Sequence, residues 1–288
     1  MILRRFEEYG FPLLIDDRII PGDDTTLFVC SGMQPVRHRF SCPDGSVHGS
    51  LQSCVRTSDL GLVGDGTHLT SFGMLGNFSF GGPEYRVSCE MWTRILQDLH
   101  VRLEPIHVHP AREDHRRVWR GLGHEVVDDP ECLWSDGRIG GHCCEVYSHG
   151  VEIGNLVNPL GHSTDVGFGL ERLVMVLEGK GRADETSLFD QRLDPVSRDH
   201  VRTLTLCHNN GIRPGGKGRG YVCRRLLRRV LDSTLGPQPW TEWVEGERRL
   251  RDQSLDRGRK LWRRHKDRPP PWWWETCGLT EEDLHLLG

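Results

Sequence analysis

The chain has 288 residues, 36% hydrophobic and 27% charged, which is room for one large domain and a smaller one around a real apolar core. No run of about 18 apolar residues occurs, so no helix is expected to cross a membrane. Met1 to Gly10, with Arg4, Arg5, Glu7 and Glu8, lacks the apolar stretch of a secretory leader. Ten scattered cysteines with no Cys-x-x-Cys pair argue against a disulfide scaffold and fit reduced thiols in the cytoplasm. A zinc set of Cys132, His142 and Cys143 matches no standard spacing, and no metal ligands are assigned from the sequence. The net charge of −4 hides an asymmetry. Residues 201–268 carry 18 Lys and Arg against 7 Asp and Glu, a local +11, which leaves −15 elsewhere. Such a segment fits an anionic partner, RNA or an acidic carrier protein, as well as it fits a solvated helical surface.

In chain order, Thr25 to Phe28 and Ser50 to Val55 read as strands, short apolar runs bounded by Gly, Pro and Asp. Glu84 to Leu99 reads as a helix, with Val87, Met91, Ile95 and Leu99 at spacing four and Trp92 on the adjacent row. Cys144 to Tyr147 and Val151 to Val157 are further strands. Gly169 to Leu177 opens a helix with Leu170, Leu173, Val174 and Leu177 on one face. Asp199 to Asn209 and Gly220 to Leu231 read as helices of the basic segment. Gly-Pro-Gln-Pro at 236–239 breaks the chain, a charged helix follows over Glu245 to Lys266, and Pro269 to Pro271 stop it before Trp272, Trp273 and Trp274. Three adjacent tryptophans cannot all face one core. Strands mixed with helices, without regular alternation, predict an α+β fold.

Four segments carry chemistry. Arg56 leaves a strand ahead of a Gly-rich stretch, and the run from Thr70 to Gly81 returns as another strand. An arginine so placed can clamp a phosphate. Trp134 precedes the Gly-rich run that leads to Glu145. Asn155 is a polar residue in the middle of the strand Glu152 to Val157. Asp165, Gly167 and Gly169 line the approach to a helix whose first turn holds Arg172. A cation there opposes the helix dipole unless an anion binds nearby.

Met74-Leu-Gly-Asn-Phe-Ser-Phe-Gly81 closely resembles motif 2 of the alanyl-tRNA synthetases, a class II family. Asp165-Val-Gly-Phe-Gly-Leu-Glu-Arg172 resembles motif 3 of that family, and Thr25 to Met33 resembles its motif 1 region. His200-Val-Arg and Gly218 to Arg225 resemble the start of its tRNA-recognition helices. The resemblance implies a class II antiparallel sheet flanked by helices over residues 1–195, and a small basic helical domain over 196–288. It implies that Arg56 holds the ATP α-phosphate and the substrate carboxylate, that Phe72 stacks on adenine, and that Arg172 binds the γ-phosphate or the adenine side. Arg56 and Arg172 are then the catalytic pair, with Asp59, Glu145 and Gly169 completing the ATP site. Asp165 pairs with the substrate ammonium, and Trp134, Asn155, Val157 and Gly167 shape a small amino-acid pocket. ATP and Mg²⁺ are the implied cofactors and alanine the implied substrate.

Departures from the family shift the expected acceptor. The motif 2 lysine is missing after Arg56, and Gly73 stands where the family has Glu before Met-Leu-Gly-Asn. Gly154 stands where it has Trp, and Arg138 to Glu145 replaces its Gly-Pro-Cys-Gly-Pro-Cys-Ser-Glu. Gly216 takes the place of the asparagine that helps read the acceptor stem, and the chain stops at Gly288, short of the family's editing domain. The expectation is activation of alanine, or a close small analogue, as an adenylate, with transfer to a nucleoside such as a sulfamoyl nucleoside, a small amine or a carrier protein in antibiotic-type metabolism. A minimal tRNA-charging enzyme and an inactive regulatory or RNA-binding paralogue are the alternatives. Neither the oligomeric state nor the acceptor is legible in the residues.

Overall fold

The computed structural model describes residues 2–287 except Asp24, Pro83, Glu84 and Thr234, and omits the side chains of Leu3 and Asp59. The chain forms two compact units, one of Met1–Arg56 with Ser71–Leu188, the other of Thr57–Thr70 with Phe189–Gly288.

Among the described residues the first unit holds a nine-stranded sheet. Its strands are β1 (Leu13–Asp16), β2 (Val47–Val55), β3 (Ser71–Ser79), β4 (Ile106–Val108), β5 (Val126–Asp128), β6 (Leu133–Ser135), β7 (Gly140–Ser148), β8 (Val151–Val157) and β9 (Thr164–Gly169). The order is β1-β2-β3-β9-β8-β7-β4-β5, with β6 against β7. Pairing is antiparallel except for β1 with β2 and β4 with β5. The helices are α1 (Ile2–Glu8), α2 (Arg37–Ser41), α3 (Tyr85–Asp98), α4 (Glu113–Gly121) and α5 (Leu170–Leu177). The fold is therefore α+β, a mostly antiparallel sheet flanked by helices, as the sequence predicts.

Alternation along the strands sends Leu75, Val166, Phe168, Leu156, Cys144 and Val146 to one face, where they meet α3 through Trp92, Ile95 and Leu96. Trp92 stacks on Phe168, ring centroids 4.0 Å apart, and donates its indole N–H to Asn77 Oδ1 at 2.8 Å. Each such buried ring contributes about 2–3 kcal/mol through apolar burial. A Cβ at Gly154 would lie 2.5 Å from the Phe168 ring, so this core excludes any side chain where the family carries tryptophan.

Several boundaries differ from expectation. Thr25 to Phe28 is irregular chain and not a strand. It is tied down by Gln34, whose Oε1 accepts the Cys30 N–H at 2.8 Å and whose Nε2 donates to Thr26 Oγ1 at 2.8 Å. Side-chain hydrogen bonds there outcompete a ladder. The helix expected from Glu84 begins at Tyr85, Glu84 itself lying outside the described residues.

The second unit is helical, with α6 (Pro195–Asn209), α7 (Gly218–Val230), α8 (Thr241–His265) and α9 (Pro270–Cys277). The helix expected from Asp199 starts four residues earlier because Asp194 caps it, accepting from the Val196 and Ser197 N–H groups, with Pro195 at the first position. Likewise the prolines at 269–271 open α9 as well as ending α8. Of the three tryptophans, Trp273 is fully buried and its neighbours are half-buried. Much of the basic charge is neutralised inside the unit. Buried Arg228 donates to Glu247 Oε1 at 2.7 Å and also pairs with Asp283, Arg224 reaches Glu247, and Arg251 reaches Asp232 at 2.8 Å. Glu247 and Asp232 are already counted in the local +11, so of these pairs only that with Asp283 lowers it further.

Candidate functional site

The sheet register gathers the predicted residues on the face away from α3. Directly opposite one another run Phe78, Asp165, Val157 and Cys143, on β3, β9, β8 and β7. The next row on the same face is Gly76, Gly167, Asn155 and Glu145. Beyond it Met74 faces Gly169, and Phe72 faces Cys54 on β2. Opposed side chains in such rows stand about 4.5–5.5 Å apart at Cβ. The sequence-predicted residues Phe72, Glu145, Asn155, Val157, Asp165, Gly167 and Gly169 therefore share one surface.

That surface has a floor of backbone. A Cβ on Gly76 would fall 1.6 Å from the Val166 carbonyl oxygen, which no L side chain survives. One on Gly167 would fall 2.7 Å from Met74 Sδ. At one side of the floor Asp165 is buried, and among the described residues none donates a hydrogen bond to it. Burial, with Asp136 nearby adding negative charge, pushes its carboxyl up to about 7. A buried acid in that condition gains most from a cation placed against it. Asp136 is itself held by Arg37 at 2.5 Å.

At the other side Arg56 follows the last residue of β2. Its Nε donates to Cys30 O at 3.0 Å, its guanidinium lies 4.8 Å from the Phe72 ring centre, and its two terminal nitrogens are unengaged among the described residues. Asp59 has no described side chain, so its place relative to the site lies outside the described residues. Trp134, on β6, packs between the cluster of Phe40, Phe78 and Phe80 and that of Cys132, Cys143 and Val157.

Arg172 sits in the first turn of α5, and its Nη1 donates to the Glu152 carbonyl at 2.9 Å and to the Glu152 carboxylate at 3.3 Å. Its neighbour Glu171, buried, has a part that sequence reasoning missed. It accepts the Gly73 N–H at 3.0 and 3.2 Å and so fixes β3 next to Phe72. An acid in the first turn of a helix, on the dipole's positive end, was the available signal. Glu145 is half-buried and accepts from the Tyr147 hydroxyl at 2.7 Å; burial raises its carboxyl, and Glu152 and Asp129 add to the rise.

Residues 3–136 match the family model described as tRNA synthetases class II (A). Over those residues, just under half of the chain, it is similar to the class II aminoacyl-tRNA synthetases. Its relatives are alanine–tRNA ligases. That of Desulfitobacterium hafniense (strain Y51) is 33% identical over 300 residues, covering 80% of this chain and 34% of the relative. That of Tropheryma whipplei (strain Twist) is 30% identical over 292 residues, covering 80% and 33%. The chain spans about a third of the length of these curated relatives. Among solved structures, the apo histidyl-tRNA synthetase of S. aureus aligns with a TM-score of 0.42 at 15% identity, over 77% of this chain and 80% of that one. No described helix is long and apolar enough to cross a membrane.

Proposed function

We propose that the protein activates alanine, or an analogue of similar size, as an aminoacyl-adenylate, and passes the aminoacyl group to an acceptor other than tRNA. The observation that supports the reading is that Asp165 shares a sheet face with Phe72, on whose ring Arg56 packs, with Gly76 and Gly167 between them. A carboxylate for the ammonium and an arginine for the carboxylate are the minimum that an α-amino acid requires.

In this reading the substrate carboxylate oxygen attacks the α-phosphorus of ATP, the bond from that phosphorus to the α,β-bridging oxygen breaks, and pyrophosphate leaves with the β,γ-bridge intact. Arg56 offers its terminal nitrogens to the α-phosphate and the attacking carboxylate, lowering the charge repulsion between them. Phe72 is the ring for adenine, although Arg56 occupies one of its faces. Arg172 meets the terminal phosphate by exchanging the Glu152 carboxylate for it, while the Glu152 carbonyl keeps its stem in place. Mg²⁺ entering with ATP would supply charge neutralisation, and Glu152 would be its oxygen donor. Gly169, at the N-terminus of α5, leaves backbone N–H groups open to phosphate. Asp165 holds the ammonium. Trp134, Asn155, Val157 and Gly167 limit the side chain to about a methyl. The acceptor's nucleophile then attacks the acyl carbonyl and AMP leaves.

Two features favour a non-tRNA acceptor. Gly216 is exposed, with open space where a Cβ would be, so it presents no group to an acceptor stem. Three arginines of the basic segment, Arg224, Arg228 and Arg251, are partnered within their own unit. A nucleoside carrying a sulfamoyl group, a small amine or a carrier-protein thiol fits the same pocket chemistry. The names of the relatives favour tRNA charging as the second reading.

The test is ATP–pyrophosphate exchange across the common amino acids, followed by labelled-alanine transfer to total tRNA, nucleosides, amines and carrier proteins. Alanine should exchange best, with glycine weaker by roughly 10–200-fold, the worth of one methyl. Equal exchange with leucine overturns the pocket, silence with every amino acid marks an inactive paralogue, and salt-sensitive charging of tRNA alone overturns the acceptor.

A further inference from the structure

Two buried thiols lie beside the amino-acid pocket without a part in the chemistry above. Cys132 precedes β6 and Cys143 lies on β7, and the Cys143 N–H donates to the Cys132 carbonyl at 2.9 Å, which holds the two residues side by side. Both are essentially inaccessible, at 0% and 1% exposure. Glu145, two residues along β7, points to the same face. The sulfur atoms and a carboxylate oxygen of these three residues all lie within 4.8 Å of one another.

We infer that Cys132, Cys143 and Glu145 form a site for a thiophilic divalent cation, with zinc the natural occupant. Two thiolates and a carboxylate select a soft ion over magnesium. Three protein ligands leave one of four tetrahedral positions open. Tetrahedral zinc places neighbouring sulfurs ~3.8 Å apart, given Zn–S bonds of about 2.3 Å. Ligand atoms already within 4.8 Å close that gap by side-chain rotation. Glu145 is half-buried while the thiols are sealed, so its side offers the entry path and the open position. The surroundings supply the outer support such a site needs. The Tyr147 hydroxyl orients the Glu145 carboxylate at 2.7 Å, and the Tyr147 ring packs on His107, which bonds Asp129 at 2.8 Å. Binding releases the two thiol protons to solvent, and the cation with two thiolates and one carboxylate carries a net charge of −1. Because Val157 lies between Cys143 and Asp165 in one cross-strand row, the metal would clamp β6 and Trp134 against the pocket wall.

His142, which the sequence brings to mind as a ligand, is outside this set. It neighbours Cys143 on the opposite face of β7, where its ring lies 4.4 Å from that of His109.

The site is tested on the purified full chain, expressed with zinc and passed through gel filtration without chelator, by metal analysis. No ATP or amino acid is present, so the result is independent of whether the protein activates alanine. Roughly one zinc per chain is expected. The cobalt-substituted protein should show a sulfur-to-metal charge-transfer band and tetrahedral visible bands. Glu145→Gln, half-buried and so able to fold, should weaken zinc binding at least tenfold, and His142→Ala should leave the zinc content unchanged. A metal-free protein after zinc supplementation, a Cys132–Cys143 disulfide found by mass spectrometry under native conditions, or loss of the zinc to excess Mg²⁺ alone would each overturn the proposal.

Discussion

The Arg56 guanidinium lies 4.8 Å from the centre of the Phe72 ring, with residues 57–71 between them in the chain. The contact follows from the register: Cys54 faces Phe72 across β2 and β3, and Arg56 is the next residue of the same alternation. The ring steadies the cation so that its terminal nitrogens keep one direction.

Replacing Arg56 with alanine should reduce alanine-dependent ATP–pyrophosphate exchange by about 10²–10³-fold, the usual effect of removing one aligned donor from a developing charge. Arg56→Lys should recover little, because an ammonium neither forks onto two oxygens nor lies flat on a ring. Steady-state exchange kinetics with both variants check this; full activity in Arg56→Lys would refute the clamp.

In the proposed reading, Asp165 couples substrate binding to pH. Its carboxyl, at about 7 in the folded protein, must ionise to pair with the ammonium, so KM for alanine should rise as pH falls below about 7. Stability moves the other way. The folded pKa is raised, so from about 4 to about 7 the unfolded chain has lost the proton and the folded one keeps it, and stability falls as pH rises through that window. Asp165→Asn removes the effect. The variant should match wild type near pH 4, be more stable above pH 7 by up to about 4 kcal/mol, and lose about 2–5 kcal/mol of alanine affinity. Urea unfolding at both pH values and alanine binding together decide it; equal pH slopes for the two proteins would contradict the burial of this charge.

The two floor glycines should part company. Gly76→Ala meets the fixed Val166 carbonyl and should prevent β3 from pairing with β9, seen as insoluble or unfolded protein. Gly167→Ala meets the movable end of Met74 and should fold at a cost of about 1–3 kcal/mol, while raising KM for alanine by filling the pocket. Circular dichroism melts and exchange kinetics separate these outcomes.

Glu171→Gln keeps the shape and drops the charge that holds the Gly73 N–H. A loss of about 1–3 kcal/mol in stability is expected, with KM for ATP rising more than KM for alanine because Phe72 adjoins the loosened bond. An unchanged KM for ATP would remove Glu171 from the positioning of the ring.

The strand core was legible in the residues because alternation and the motif strings agree there. Ser50 to Val55, Cys144 to Tyr147 and Val151 to Val157 all lie within observed strands. The three-residue strands β4, β5 and β6 gave no signal, since alternation needs more than one repeat to register. Thr25 to Phe28 misled because Gln34, several residues away, satisfies its polar groups. The chemistry-bearing residues were found by type and motif, but their common face follows from cross-strand register, a long-range property that no local window holds. Glu171 was passed over because its partner, the Gly73 N–H, is 98 residues distant.

Alternation also makes the site indivisible. Sliding β9 by one residue against β3 and β8 would turn Asp165 and Gly167 into the hydrocarbon beneath α3 and bring Val166 and Phe168 up into the pocket. No intermediate register exists, so the backbone cannot be nudged to suit a bulkier substrate. Any descendant of this chain that accepts one has to acquire the room through individual side chains, with Val157 and Asn155 the two that can shrink without tearing the weave.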